Sequence, residues 1–97
     1  MSDDSALTPE QQIECLRILI DETDSQILNL ISDRVKFAEK IGKIKAQNGM
    51  QVYVPQREKQ LLDALRAKNE QGSKLPWETV SSIYQLIIDV CRNQQIS

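Results

Sequence analysis

Starting at Ile13, the chain sets Leu16, Ile20, Thr23, Ile27, Leu30, Arg34, Phe37, Ile41 and Ile44 at alternating spacings of three and four, with no glycine or proline between them before Gly42. This is the period of one long α-helix carrying a seam of coiled-coil type. Its start is marked by Thr8-Pro9-Glu10-Gln11: a hydroxyl cap, proline at the first helical position, and glutamine three residues after the cap. The pattern runs out near Gln47-Asn48-Gly49. A second, shorter helix is predicted from Pro55, carrying Leu61, Leu62 and Leu65 and ending before Gly72. A third is predicted from Pro76, carrying Val80, Ile83, Tyr84, Ile87, Ile88 and Cys91. No strand pattern of useful length, repeat or low-complexity segment accompanies them, so the fold class is all-α, with three helices per chain and a long first one.

The first helix is too long for its own domain. From about residue 9 to 47 it extends roughly 58 Å at 1.5 Å per residue, whereas a compact domain of this size has a radius of gyration of about 12–13 Å. The seam continues along nearly all of that length. Another chain must cover part of it, because nothing before Gly42 encourages a fold-back. The chain is therefore read as one domain over residues 1–97, with residues 1–7 as a disordered tail, that pairs with a second copy. Taken alone, the same pattern also fits a plain coiled-coil or adaptor module.

Composition narrows the functions open to such a bundle. The net charge is −2 and no Lys/Arg cluster stands out, which argues against a nucleic-acid surface or a polybasic membrane anchor. The acidic, polar start MSDDSALTPE lacks the basic and apolar regions of a secretory signal, and no run approaches a membrane span. A cytoplasmic location is expected. Cys15 and Cys91 are far apart and outside any CxxC context, so they read as small apolar fillers rather than as metal ligands or a disulfide. Histidine is absent, which removes the commonest general base and the usual partner of a Ser or Cys nucleophile.

Cations stand where a core is expected. Every seam residue in register with Arg34 is apolar except Thr23, and a guanidinium there is costly unless an anion meets it. Lys45 lies only ~20° around the helix from Arg34 and ~16 Å along it, close enough for both side chains to converge on one small ligand. Arg17 is ~25 Å from Arg34 along the same helix, so if both grip one small molecule they come from different chains. The competing explanation is internal salt bridging, with Asp24 one heptad from Arg17, Glu39 near Arg34, and Arg57 beside Glu58 at the start of the second helix.

These charges share one frame. The segment LRILIDETDSQILNLISDRVKFAEKIGKIK, residues 16–45, resembles the first helix of the all-helical (AroQ-type, type II) chorismate mutases. VYVPQREKQLL, residues 52–62, resembles their loop and second-helix start, and IYQLIIDVCRNQQ, residues 83–95, follows in similar register. The resemblance implies an intertwined homodimeric bundle in which chorismate undergoes a Claisen rearrangement to prephenate, in phenylalanine and tyrosine biosynthesis, with no metal or cofactor. It implies that Arg17 enters the partner's site and, with Arg34, holds the substrate's two carboxylates, while Lys45 and Gln95 flank the breaking ether oxygen. Arg57 then adds positive potential at the ring, Glu58 accepts a hydrogen bond from the ring hydroxyl, and Cys91 stands where a serine commonly lines the pocket.

Two residues depart from the family pattern. Val54-Pro55 replaces a frequent Asp-Pro, which removes a side-chain cap worth ~1 kcal/mol and any side-chain contact to the ring hydroxyl, though a contact from the Val54 backbone N–H survives. Cys91 exchanges a good hydroxyl donor for a weak one. Two alternatives use the same frame: an isochorismate-pyruvate lyase of this fold, and a non-catalytic dimerisation or regulatory module, which Val54 and Cys91 would suit. The loop from Gln47 to Val54 and the Arg57-Glu58 pair look more like the mutases.

Overall fold

The computed structural model describes residues 6–96, with the backbone alone at Ile96. Of the tail expected at residues 1–7, residues 1–5 lie outside the described residues. Three helices make up the fold: α1 (Pro9–Gln47), α2 (Pro55–Gln71) and α3 (Trp77–Ile96), with no strand among the described residues. None of these helices is long and apolar enough to cross a membrane. The chain falls into two compact units that divide within α1, Met1–Ser32 and Asp33–Ser97.

In the first unit the predicted cap forms in both directions. The Gln11 N–H donates to Thr8 Oγ1 at 3.1 Å, and the Thr8 N–H donates to Gln11 Oε1 at 2.9 Å. Two of the donors orphaned around the helix start are satisfied in this way. Gln12 adds a side-chain bond to the Leu7 carbonyl at 3.0 Å. Beyond the cap this stretch of α1 is bare: Ile13, Leu16, Ile20, Ile27 and Leu30 are all exposed, Leu30 by 67%. Cys15, expected as a buried filler, is exposed as well, because nothing in its unit packs over it.

The second unit holds the core. Ala38, Ile88 and Cys91 are its buried apolar side chains. Gly42, one turn beyond Ala38, is buried too. The seam residues Phe37, Ile41 and Ile44 remain exposed. Thus α1 buries against α3 the small residues Ala38 and Gly42 beside the seam, not the apolar residues of the seam itself. Steric room explains the choice: a Cβ on Gly42 would lie 2.6 Å from Gln95 Cα and 2.7 Å from its carbonyl oxygen, so only glycine permits this approach.

The turns follow from local chemistry. After α1, Gly49 takes φ +63°, and the Lys45 carbonyl accepts from Asn48 N at 3.2 Å and Met50 N at 2.9 Å, a helix end that suits glycine. Helix α2 starts at Pro55 after Val54, which makes no side-chain cap. Between α2 and α3, buried Asn69 organises the turn. Its Nδ2 donates to the Leu75 carbonyl at 2.7 Å, and its Oδ1 accepts from Leu75 N and from the Ser73 hydroxyl. The third helix begins at Trp77, one residue later than expected, because Pro76 serves as the boundary residue whose carbonyl accepts from Thr79 and Val80.

Gly42→Ala should lower stability. Overpacking against backbone costs about 1–3 kcal/mol, which outweighs the ~1 kcal/mol that alanine gains over glycine inside a helix. Urea denaturation followed by circular dichroism checks this, and an unchanged or higher midpoint would mean that the close approach is not a constraint.

Candidate functional site

A cleft of about 460 Å³ opens in the second unit, between α1, the α1–α2 loop, α2 and α3. Helical spacing explains which side chains reach it. Arg34, Ala38 and Lys45 lie on one face of α1, and Ile88, Cys91, Arg92 and Gln95 on one face of α3. The loop contributes Val52 and Val54, and the first turns of α2 contribute Arg57, Glu58 and Leu61. Seven of the eight residues expected at a site therefore line one cleft: Arg34, Lys45, Val54, Arg57, Glu58, Cys91 and Gln95. Arg17, the eighth, is not among them. It belongs to the first unit, where it is exposed.

Lys45 is held by two hydrogen bonds. Its Nζ donates to Gln95 Oε1 at 2.8 Å and to the Val52 carbonyl at 3.0 Å. An ammonium group has three protons, so one remains for a ligand oxygen. The same bond orients Gln95: an ammonium only donates, so the amide oxygen must face it and the Nε2 protons are left to donate elsewhere. Neighbouring donors are thus prepared side by side. The Lys45 side chain also ties the loop to α1, since Val52 belongs to the segment that Gly49 turns back.

Arg34, half-buried on α1, donates from Nη1 to Cys91 Sγ at 2.9 Å. Cys91 is 4% exposed, so the thiol acts both as a core filler and as a weak acceptor that fixes one edge of the guanidinium. No carboxylate pairs with Arg34 among the described residues. The internal salt bridge to Glu39 considered from the sequence is therefore not formed, and Arg34 keeps its remaining donors for an anion. Arg57 is likewise outside any ion pair of the described residues. The Val54 carbonyl accepts from Arg57 N at 3.0 Å, which sets the start of α2 at the cleft's edge.

Glu58 is the one carboxylate in the lining among the described residues, and it is paired. Its Oε1 accepts a short hydrogen bond from Arg92 Nη2, and Arg92 also lies 3.5 Å from Asp89. The Arg92 guanidinium sits over the Tyr53 ring, 4.7 Å from its centroid. The hydrogen bond with Glu58 is the main cause holding Arg92 above its ordinary pKa. Sequence reasoning missed Arg92. Its signal was faint: an arginine next to Cys91 and three residues before Gln95, on the face of α3 that carries both.

Among the described residues the lining therefore offers Arg34, Lys45, Arg57 and Arg92 against the single carboxylate of Glu58. Such a surplus suits a small anion with more than one negative charge. No group of three or more His, Cys, Asp or Glu residues that could hold a metal occurs among the described residues.

Comparison with known proteins meets this geometry from another direction. Residues 16–96 match the family described as Chorismate mutase type II. A bifunctional chorismate mutase/prephenate dehydratase of Aquifex aeolicus is 34% identical over 83 residues, covering 84% of this chain and 23% of that protein. The T-protein of Enterobacter agglomerans is 27% identical over 77 residues, covering 79% of this chain and 20% of its own length. A chorismate mutase of Methanocaldococcus jannaschii is 41% identical over 51 residues, 53% of this chain and 52% of that protein. The chain thus spans about a quarter or less of the two longer relatives and about half of the archaeal one. With the match running from Leu16 through all the cleft-lining residues, the chain belongs to the type II chorismate mutase family.

Proposed function

We propose that the chain catalyses the rearrangement of chorismate to prephenate, in the biosynthesis of aromatic amino acids. The observation that carries the reading is the pairing of Lys45 with Gln95 in one cleft with an Arg34 that no carboxylate among the described residues neutralises. The family match and the relatives named for this activity support it.

A Claisen rearrangement moves no proton and needs no nucleophile, so a site without histidine loses nothing. Its requirements are a flexible dianion held in the folded, near-attack conformer and donors aimed at the ether oxygen as negative charge develops there. In this reading Arg34 grips one carboxylate with the donors that Cys91 leaves free. Lys45 gives its third proton, and Gln95 an Nε2 proton, to the ether oxygen. Arg57 adds positive potential at the ring, and Glu58 accepts from the ring hydroxyl. Val54 has no side-chain polar atom to offer and contributes backbone only. Each donor is already in place before the charge appears, so little reorganisation opposes the reaction.

The second carboxylate needs another cation, and we assign it to Arg17 of a second copy in an intertwined homodimer. Two features support this: the ~25 Å of helix rise between Arg17 and Arg34, and the row of exposed apolar residues on α1, from Ile13 through Leu30. A second copy laid along that row would bury them.

Chorismate consumption followed by absorbance, with the product identified, tests the activity. The expected product is prephenate; release of pyruvate from isochorismate instead would make the chain a lyase of the same fold. Lys45→Ala should lower turnover by two or more orders of magnitude, matching roughly 3 kcal/mol for one preorganised donor. Near-normal turnover in a folded Lys45→Ala protein would reject its role at the ether oxygen.

A further inference from the structure

Arg92 lines the cleft and is an expensive residue for its place. Its Nε is buried without a hydrogen-bond partner among the described residues, a cost that methionine or leucine in the same space would not carry. Its Nη2 binds Oε1 of Glu58, leaving Oε2 without a partner among the described residues. The same Nη2 also lies 3.5 Å from Asp89, one turn back on α3, and the guanidinium sits over the face of Tyr53 in the α1–α2 loop. Three elements thus fix one cation, and that cation fixes one oxygen of the only carboxylate in the cleft among the described residues.

We propose that Arg92 is a positioning residue for substrate recognition: it clamps Glu58 Oε1 so that Oε2 is presented, in one orientation, to the ring hydroxyl. This rests on the reading of Glu58 as the acceptor for that hydroxyl. A glutamate without the clamp is free to turn about its side-chain torsions and to swing toward the other cations of the lining, Arg57 and Arg34, where it would compete with the substrate's carboxylates. Arg92 prevents that by giving Glu58 a dedicated partner on α3. The guanidinium has the rigid fork needed to bind Glu58 while stacking on Tyr53, whereas an ammonium is a point charge that binds without stacking in the same way. The α1–α2 loop is thereby linked to recognition, because Tyr53 covers the guanidinium and neighbouring Val52 accepts from Lys45.

The test is a double-mutant cycle on the full chain, with chorismate and with a chorismate analogue lacking the ring hydroxyl. Toward chorismate, Arg92→Met should lower kcat/KM about ten- to a hundredfold, with Arg92→Lys regaining part of the loss, whereas in a Glu58→Gln background Arg92→Met should cost less than about threefold more. Toward the analogue, wild type and both Arg92 variants should agree within about threefold. A purely structural role predicts the opposite, the same loss in both backgrounds and on both substrates, and that result overturns the proposal. Should Arg92→Met fail to fold, the comparison of Arg92→Lys on the two substrates decides it by the same criterion. Failure of the underlying reading looks different: an active wild type whose Glu58→Gln variant is equally active on chorismate removes Glu58 from recognition, and Arg92's role with it.

Discussion

The approach of α3 to α1 at Gly42 is the constraint on which the site depends. With no side chain there, the backbone at Gln95 comes against the α1 surface at a distance that a Cβ would forbid. Side chains on either side of this contact then meet. One turn toward the C-terminus of α1, Lys45 reaches Gln95; two turns toward its N-terminus, Arg34 reaches Cys91. Both bonds span the same pair of helices, so a wider separation would break both. Packing and chemistry are thus set by one small residue, and the buried Ala38, Ile88 and Cys91 fill the space that the close approach leaves.

Cations bring a second constraint. Among the described residues four line one cleft with a single carboxylate, and like charges in a partly desolvated space repel. The arrangement answers this by giving most of them separate neutral or negative neighbours: Lys45 has two oxygen acceptors, Arg34 a thiol, Arg92 two carboxylates and an aromatic face. Arg34 and Arg57 are outside any carboxylate pair among the described residues, and these suit a dianion. On the proposed reaction the same charges serve twice, first by binding the substrate and then by stabilising its transition state.

Much of the fold was legible because its signals are local. Thr8 and Gln11 bond each other as the cap pattern requires, Gly49 reverses the chain with positive φ where helix propensity ends, and Pro55 opens α2. The α3 boundary was off by one residue, since a proline can either begin a helix or accept its first bonds. The seam was harder to interpret. Its period correctly implied one helix, yet the face used within the chain is that of Ala38 and Gly42, while Phe37 stays 61% exposed. Periodicity finds the apolar side of a helix and does not say which chain covers it. Resemblance to a family named the cleft residues, but Arg92 escaped because its significance lies in contacts with Glu58, Asp89 and Tyr53 from three parts of the chain. No spacing rule encodes such a convergence.

In the proposed enzyme the working site is shared by two chains, with α1 presenting Arg17 to one copy's cleft and Arg34 to the other's. The most direct measurement is activity after mixing. Arg17→Ala and Arg34→Ala are each nearly inactive on this account, since either lesion damages both sites of its own homodimer. Unfolded together and refolded at equal amounts, about half of the dimers should be mixed by random pairing, and each mixed dimer carries one site with both lesions and one with none. Activity should recover to about a quarter of the wild-type level on that estimate. No recovery, in a mixture shown by mass spectrometry to contain the mixed dimer, would contradict the shared site and return Arg17 to the surface of its own chain.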